Sequence, residues 1–225
     1  DHIVKQAGSK GECLLLNGGS GRLAYELVQQ TDYHVVALEK DVKTLRETRD
    51  MLDRAGVYGS RVVVQPWDLN DLPDYFANAI VVGEPAFVKE LDASPAQLFR
   101  VLKPYGGALV LGIEGHRLQF TSSKYKQEWN RHFPKADMSH GRWITFARGP
   151  LEGAGQWTSL YGNPQNTCCS EDPYVKNPLG LLWYGEPGSE KIVDRHGRAA
   201  GPIAFNGKLY VQGEEVVMAF DAYNG

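Results

Sequence analysis

The residues with the most chemical potential lie near the start of the chain. Asn17-Gly18-Gly19-Ser20-Gly21 is a turn almost free of bulky side chains, so its backbone N–H groups can come close to a polar or charged ligand. Ser20 adds a hydroxyl, and Asn17 can occupy a left-handed conformation that most residues avoid. Eighteen residues beyond Gly21, Glu39 closes an apolar run, where a carboxylate can accept both hydroxyls of a ribose. Two later apolar runs also end near acids, at Asp68 in Pro66-Trp67-Asp68 and at Glu84 in Gly83-Glu84-Pro85. Together these groups describe a nucleoside pocket. Plainer readings stay open beside it: a tight turn with nothing bound, a solvent-facing acid at Glu39, a loop cap at Asp68 and surface side chains at Lys40 and Arg22.

Those groups need strands and helices in alternation to hold them. Cys13 to Leu16 reads as a buried strand, Arg22 to Gln30 as a helix with Leu23, Ala24, Leu27 and Val28 at helical spacing, and His34 to Leu38 as a second strand. Val42 to Ala55 is an amphipathic helix, Arg61 to Gln65 a strand built on three valines, and Ala79 to Val82 a fourth strand. Asp92 to Leu102 reads as a helix whose Pro95 suits a first turn, followed by a fifth strand at Ala108 to Ile113. Lys124 to Phe133 adds a helix and Arg142 to Ala147 a strand, while residues 1–10 form a short helix or lead-in. The expected fold class is α/β: a Rossmann-like, mostly parallel sheet with flanking helices over residues 1–148. From 149 the composition turns to Gly, Pro and Asn. Strand candidates there are Leu179 to Tyr184, Pro202 to Phe205, Lys208 to Gln212 and Glu215 to Phe220, with Asn206-Gly207 as a hairpin turn. A small antiparallel β segment is expected over 149–225.

The chain has 225 residues, a formal net charge of -3 and a pI near 6.1, with no concentrated run of Lys or Arg. That supplies no electrostatic argument for nucleic acid or an anionic membrane. No stretch of eighteen apolar residues is present, so no membrane span is expected. The first residue is Asp1 rather than Met, which is compatible with processing and leaves a cytoplasmic or an exported location open. Cys13 reads as a buried small hydrophobe. Cys168 and Cys169 are adjacent, and read as free or partly buried packing residues with a strained vicinal disulfide as the alternative; no C-x-x-C spacing supports a metal. His116, His132 and His140 are not spaced as ligands, and the cluster Asp194-Arg195-His196 lacks a partner set.

Over Gly11 to Gly112 the chain resembles the class I S-adenosylmethionine-dependent methyltransferases. The likeness rests on GGSG at Gly18 to Gly21, the acid Glu39, Trp67-Asp68-Leu69, and LKPYGG at Leu102 to Gly107, in that order. It implies S-adenosylmethionine as cofactor, with Asn17, Gly18, Gly19, Ser20 and Gly21 along its methionyl end and Glu39 on the ribose. Trp67, Asp68, Leu69 and Lys40 would stand around the adenine. The implied reaction is methyl transfer to an unidentified acceptor, with Glu84 as the general-base candidate or, equally, as a partner for the cofactor's amino group. Two positions depart from the family pattern: an acid is common where Leu15 stands and a glycine where Asn17 stands. The competing expectation is therefore a catalytically inactive module that keeps the fold as a structural or interaction domain. Nicotinamide binding is a third.

The tail resembles the repeats of pyrroloquinoline-quinone-type β-propellers, through Gly207 to Val211 and the closing VVMAFDAYNG of Val216 to Gly225. That likeness implies a partial propeller blade, a longer parent polypeptide of further blades as the partner, and export as in large bacterial proteins of that organisation. No quinone is assigned.

Overall fold

The computed structural model describes residues 2–83, 93–112, 122–135, 137–140, 143–185, 190–193 and 200–225. The chain divides into two compact units, residues 1–149 and 150–225.

The first unit runs α1 (His2–Ala7), β1 (Lys10–Leu16), α2 (Arg22–Gln30), β2 (Asp32–Leu38), α3 (Val42–Arg54), β3 (Val62–Gln65), a 3-10 turn (Leu69–Asp71), β4 (Ala79–Val82), α4 (Pro95–Val101), β5 (Ala108–Gly112), α5 (Ser123–His132), β6 (Asp137–His140) and β7 (Trp143–Ala147). Its seven strands lie in the order β3-β2-β1-β4-β5-β7-β6. The first five are parallel; β7 runs antiparallel to both β5 and β6. The fold is the expected mixed α/β one, built on a mostly parallel sheet.

Why the strands are continuous apolar runs follows from their two covered faces. Alternate residues serve opposite layers. Leu14, Leu16, Ile80, Val82, Leu109 and Leu111 pack with Leu98, Val101 and Trp129 on one side. Cys13, Leu15, Ala79, Val81 and Val110 pack with Ala24, Leu27, Val28 and Leu52 on the other.

Helix starts obey local chemistry. Asp41 accepts from the Thr44 N–H ahead of α3, and Ser94 and Gln97 form a capping box around α4 with Pro95 in its first turn. Arg148 closes the layer: its buried guanidinium donates to the carbonyls of Phe99 and Leu102 and lies 4.1 Å from the Phe99 ring centroid. It thereby satisfies carbonyls at the end of α4 that have no partner inside the helix.

In the second unit β8 (Ile203–Phe205), β9 (Lys208–Gly213) and β10 (Val216–Asp221) form an antiparallel sheet in the order β10-β9-β8. Asn206 (φ 51°) and Gly207 (φ 74°) take the left-handed pair of conformations that a two-residue hairpin turn requires. Trp157 exchanges both backbone hydrogen bonds with Ala204, at 2.8 and 2.9 Å, on the other edge of β8.

Two expectations are corrected and one strand is new. Leu179 to Tyr184 is not a strand: Leu181 and Tyr184 are exposed, and the run is held by side-chain contacts of Trp183, whose Nε1 donates to Ala222 O at 3.1 Å. β6 was unexpected, because Asp-Met-Ser-His has no alternating apolar pattern and forms against the edge that β7 offers. Cys168 and Cys169 are free but exposed, so they do not pack inside the unit. A three-stranded sheet is also less than the four-stranded blade of a propeller, and the described residues hold no ring of blades.

Candidate functional site

The strand order reverses between β1 and β4, since the chain leaves β1 toward β2 and β3 on one side and continues through β4 and β5 on the other. At such a switch point the loops beyond the carboxyl ends of the strands diverge and leave a crevice. The crevice here is bounded by Leu16-Asn17 after β1, Leu38-Glu39-Lys40 after β2, Trp67-Asp68 after β3 and Gly83 after β4. It comprises two cavities that share Asn17 and Glu39 in their walls.

One cavity, of about 170 Å³, is lined by Leu16, Asn17, Leu38, Glu39, Lys40, Trp67, Asp68, Leu69 and Ala93. Its apolar side chains suit a flat ring, and Trp67 is 41% exposed, so part of its indole is open to a ligand. Asp68 and Lys40 form its polar edge, with Lys40 Nζ 3.2 Å from Asp68 Oδ2. The backbone N–H of Asn70, and then the Lys40 ammonium, hold the Asp68 carboxyl below the usual carboxylate range. Asp68 also caps the 3-10 turn, through its acceptance from Asn70 N at 3.0 Å, so the acceptor and the cap are one residue.

The other cavity, of about 700 Å³, is lined by Asn17, Gly18, Gly19, Ser20, Arg22, Leu23, Glu26, Glu39 and Gly83. Asn17 is left-handed, with φ 51°, and Gly19 follows at φ 56° with open space where a side chain would stand. Gly83 has a packing reason: an added Cβ would lie 2.7 Å from the Asn17 carbonyl oxygen. α3 steadies the loop through the Thr48 hydroxyl, which donates to Gly19 O at 3.2 Å. Glu39, at the junction of the two cavities, accepts the Asp41 N–H on one carboxylate oxygen at 2.8 Å. That contact orients the carboxylate at the end of β2.

The sequence-derived residues are largely brought together. Asn17, Gly18, Gly19, Ser20, Glu39, Lys40, Trp67, Asp68 and Leu69 all line one cavity or both. Gly21 differs: it is buried, and its missing Cβ faces Thr48 and Met51 of α3, both 2.8 Å away. It therefore serves helix packing and the turn, whereas Gly19 opens onto the crevice; Gly18 lines the crevice but has its missing Cβ against the Leu15 side chain, 2.8 Å away. Glu84, His116 and Asp194-Arg195-His196 lie outside the described residues. Glu26 and Gly83 were missed. Helical spacing could have found Glu26, which lies four residues after Arg22 on the same face of α2. Among the described residues no group of three or more His, Cys, Asp or Glu could hold a metal ion, and no helix is long and apolar enough to cross a membrane.

No protein-family model and no curated protein sequence matches the chain. Solved structures do. One is a candidate S-adenosyl-L-methionine-dependent methyltransferase from Methanococcus maripaludis, at 17% identity and a TM-score of 0.50, covering 67% of this chain and 84% of that one. Another is the [4+2]-cyclase SpnF, at 15% identity and a TM-score of 0.50, covering 67% and 80%. The likeness shows the fold, a Rossmann-like α/β unit with a mostly parallel sheet. These two neighbours are described by different reactions, so the shared fold does not by itself select the chemistry.

Proposed function

We propose that the first unit binds S-adenosylmethionine in the crevice and transfers its methyl group to an acceptor yet to be identified. The observation that carries the reading is the continuous pair of cavities joined at Glu39, a ring-sized slot on one side and a glycine-lined space on the other. In this reading the adenine enters the slot against Trp67 and Leu69, with Asp68 and Lys40 at its polar edge. Glu39 takes the ribose hydroxyls, and the methionyl end lies along Asn17 to Ser20, near the amino end of α2, which has no side-chain cap. Glu84, next to Gly83, would draw the proton from the acceptor as the methyl group leaves the sulfonium. In a finer proposal, the second unit is the opening part of a longer β-propeller, supported by the Asn206-Gly207 hairpin and by Trp157 extending the β8 edge.

Titration calorimetry with S-adenosylmethionine and S-adenosylhomocysteine tests the reading. Micromolar binding is expected, weakened roughly 10- to 150-fold by Glu39→Ala, since a hydrogen-bonded charged acceptor is worth about 1.5–3 kcal/mol. No binding at millimolar ligand sinks it. One observation favours the second reading, an inactive module serving as a structural or interaction domain. Leu15 is fully buried among apolar side chains where the resembling family carries an acid, so that position supplies no acceptor for the cofactor ammonium. The same titration separates the two.

A further inference from the structure

The second unit carries a pair of groups that the crevice of the first does not involve. Cys168 and Cys169 are adjacent, free and exposed. In an extended strand successive side chains point to opposite faces, which would keep neighbouring thiols apart. Cys168 instead has a left-handed φ of 54°, and neither residue belongs to a strand, so that alternation is broken.

Hydrogen bonds hold the loop in this form. The Cys168 N–H donates to Tyr161 O at 3.0 Å, and the Thr167 hydroxyl donates to Cys169 O at 3.4 Å. Asn163 accepts from the N–H groups of Gln165 and Thr167, and donates through its amide nitrogen to the Thr167 hydroxyl at 2.7 Å. Cys169 also lines a cavity of about 530 Å³, with Thr158, Asn163, Ser170 and Glu171 among its walls. Cys169 thus stands beside open space, and the exposed Cys168 precedes it on the same pinned turn.

We propose that Cys168 and Cys169 form a vicinal dithiol site that captures soft, thiophilic trivalent centres of the arsenical type, both sulfurs bonding to one atom. With an organic arsenic(III) oxide, two As–S bonds form, and two S–H bonds and the arsenic–oxygen bond break. The oxygen leaves with the two thiol protons as one water, and nothing is oxidised or reduced. Once the first sulfur is bound the second attacks within the same molecule, so its effective concentration is high. A loop already ordered before binding lowers the cost of closing the chelate. Cys13 is the internal contrast: it is fully buried in β1, and burial pushes its thiol up to about 12.

The test is intact-mass analysis of the full chain, reduced beforehand and treated with phenylarsine oxide. One adduct per chain, with loss of one water, is expected to survive excess monothiol and to be released by 1,2-ethanedithiol. Cys168→Ser and Cys169→Ser should each abolish the persistent adduct, and Cys13→Ser should retain it. Circular dichroism checks that each variant keeps the fold, with the corresponding alanine variants as a second pair. Absence of the adduct from the unaltered chain overturns the proposal. So does an adduct removed by monothiol, or one that persists in either single variant of the pair.

Discussion

Asn17 shows how a single residue can serve the fold and leave room for a ligand. Its left-handed φ of 51° turns the chain out of β1, and its carbonyl stands where Gly83 alone leaves space. Asn17→Val should therefore destabilise the protein by about 1–2 kcal/mol, and Asn17→Gly should be nearly neutral, in urea unfolding followed by circular dichroism. Glu12 gives a pH dependence. Burial lifts its carboxyl above the usual 4.5, and the His34 imidazole, 3.5 Å away, offsets part of that. The folded state thus holds this proton more tightly than the unfolded state. The resulting stability is complete below pH 4.5 and is lost as pH rises through the raised folded value. Glu12→Gln, which stays neutral, should melt above the unaltered protein at pH 7, and thermal melts across pH should show the gap closing toward pH 4.5. At this scale Glu39, Trp67 and Asp68 were legible because an acid or aromatic at the end of an apolar run marks a strand's carboxyl edge. Glu26 was legible only through its helical spacing from Arg22, and Gly83 was not, since its relevance arises from the Asn17 carbonyl that folds beside it.

Helix α2 was legible over its whole length, because its apolar spacing and the glycine turn before it agree. α4 began where Pro95 required. Elements defined by a partner were harder to read. β6 exists because β7 has an edge to pair, and the apolar run Leu179 to Tyr184 pairs with no strand among the described residues. The contact between α2 and α3 carries its own prediction. Gly21 begins α2 at φ 83° with no room for a side chain, because Thr48 and Met51 of α3 fill the space. Gly21→Ala should cost about 1–3 kcal/mol in denaturant unfolding, the range for overpacking. Met51→Ala in the same chain should recover part of that loss by clearing one of the two clashes, while the strain of a positive φ remains.

Across the molecule the apolar interior is unevenly shared. Every buried hydrophobic among the described residues lies between Ile3 and Phe146, while Leu160, Val175, Leu179, Leu181 and Tyr184 of the second unit are exposed. Local stability follows buried apolar contact. In native-state hydrogen exchange the amides of β8 to β10 should open at lower free energy than those of β1, β4 and β5, and equal protection of both sets would contradict this. The sequence by itself determined the alternation of strands and helices, the parallel core and the hairpin at Asn206-Gly207, because periodicity and backbone preference are properties of neighbouring residues. Only the tertiary structure decided that β7 turns antiparallel and that Gly21 faces α3 and Gly18 faces Leu15 while Gly19 opens onto the crevice. Only it, too, made Glu39 the junction of two cavities. Those outcomes depend on strands meeting across the sheet, and on loops from four strand ends converging at the one place where the order reverses.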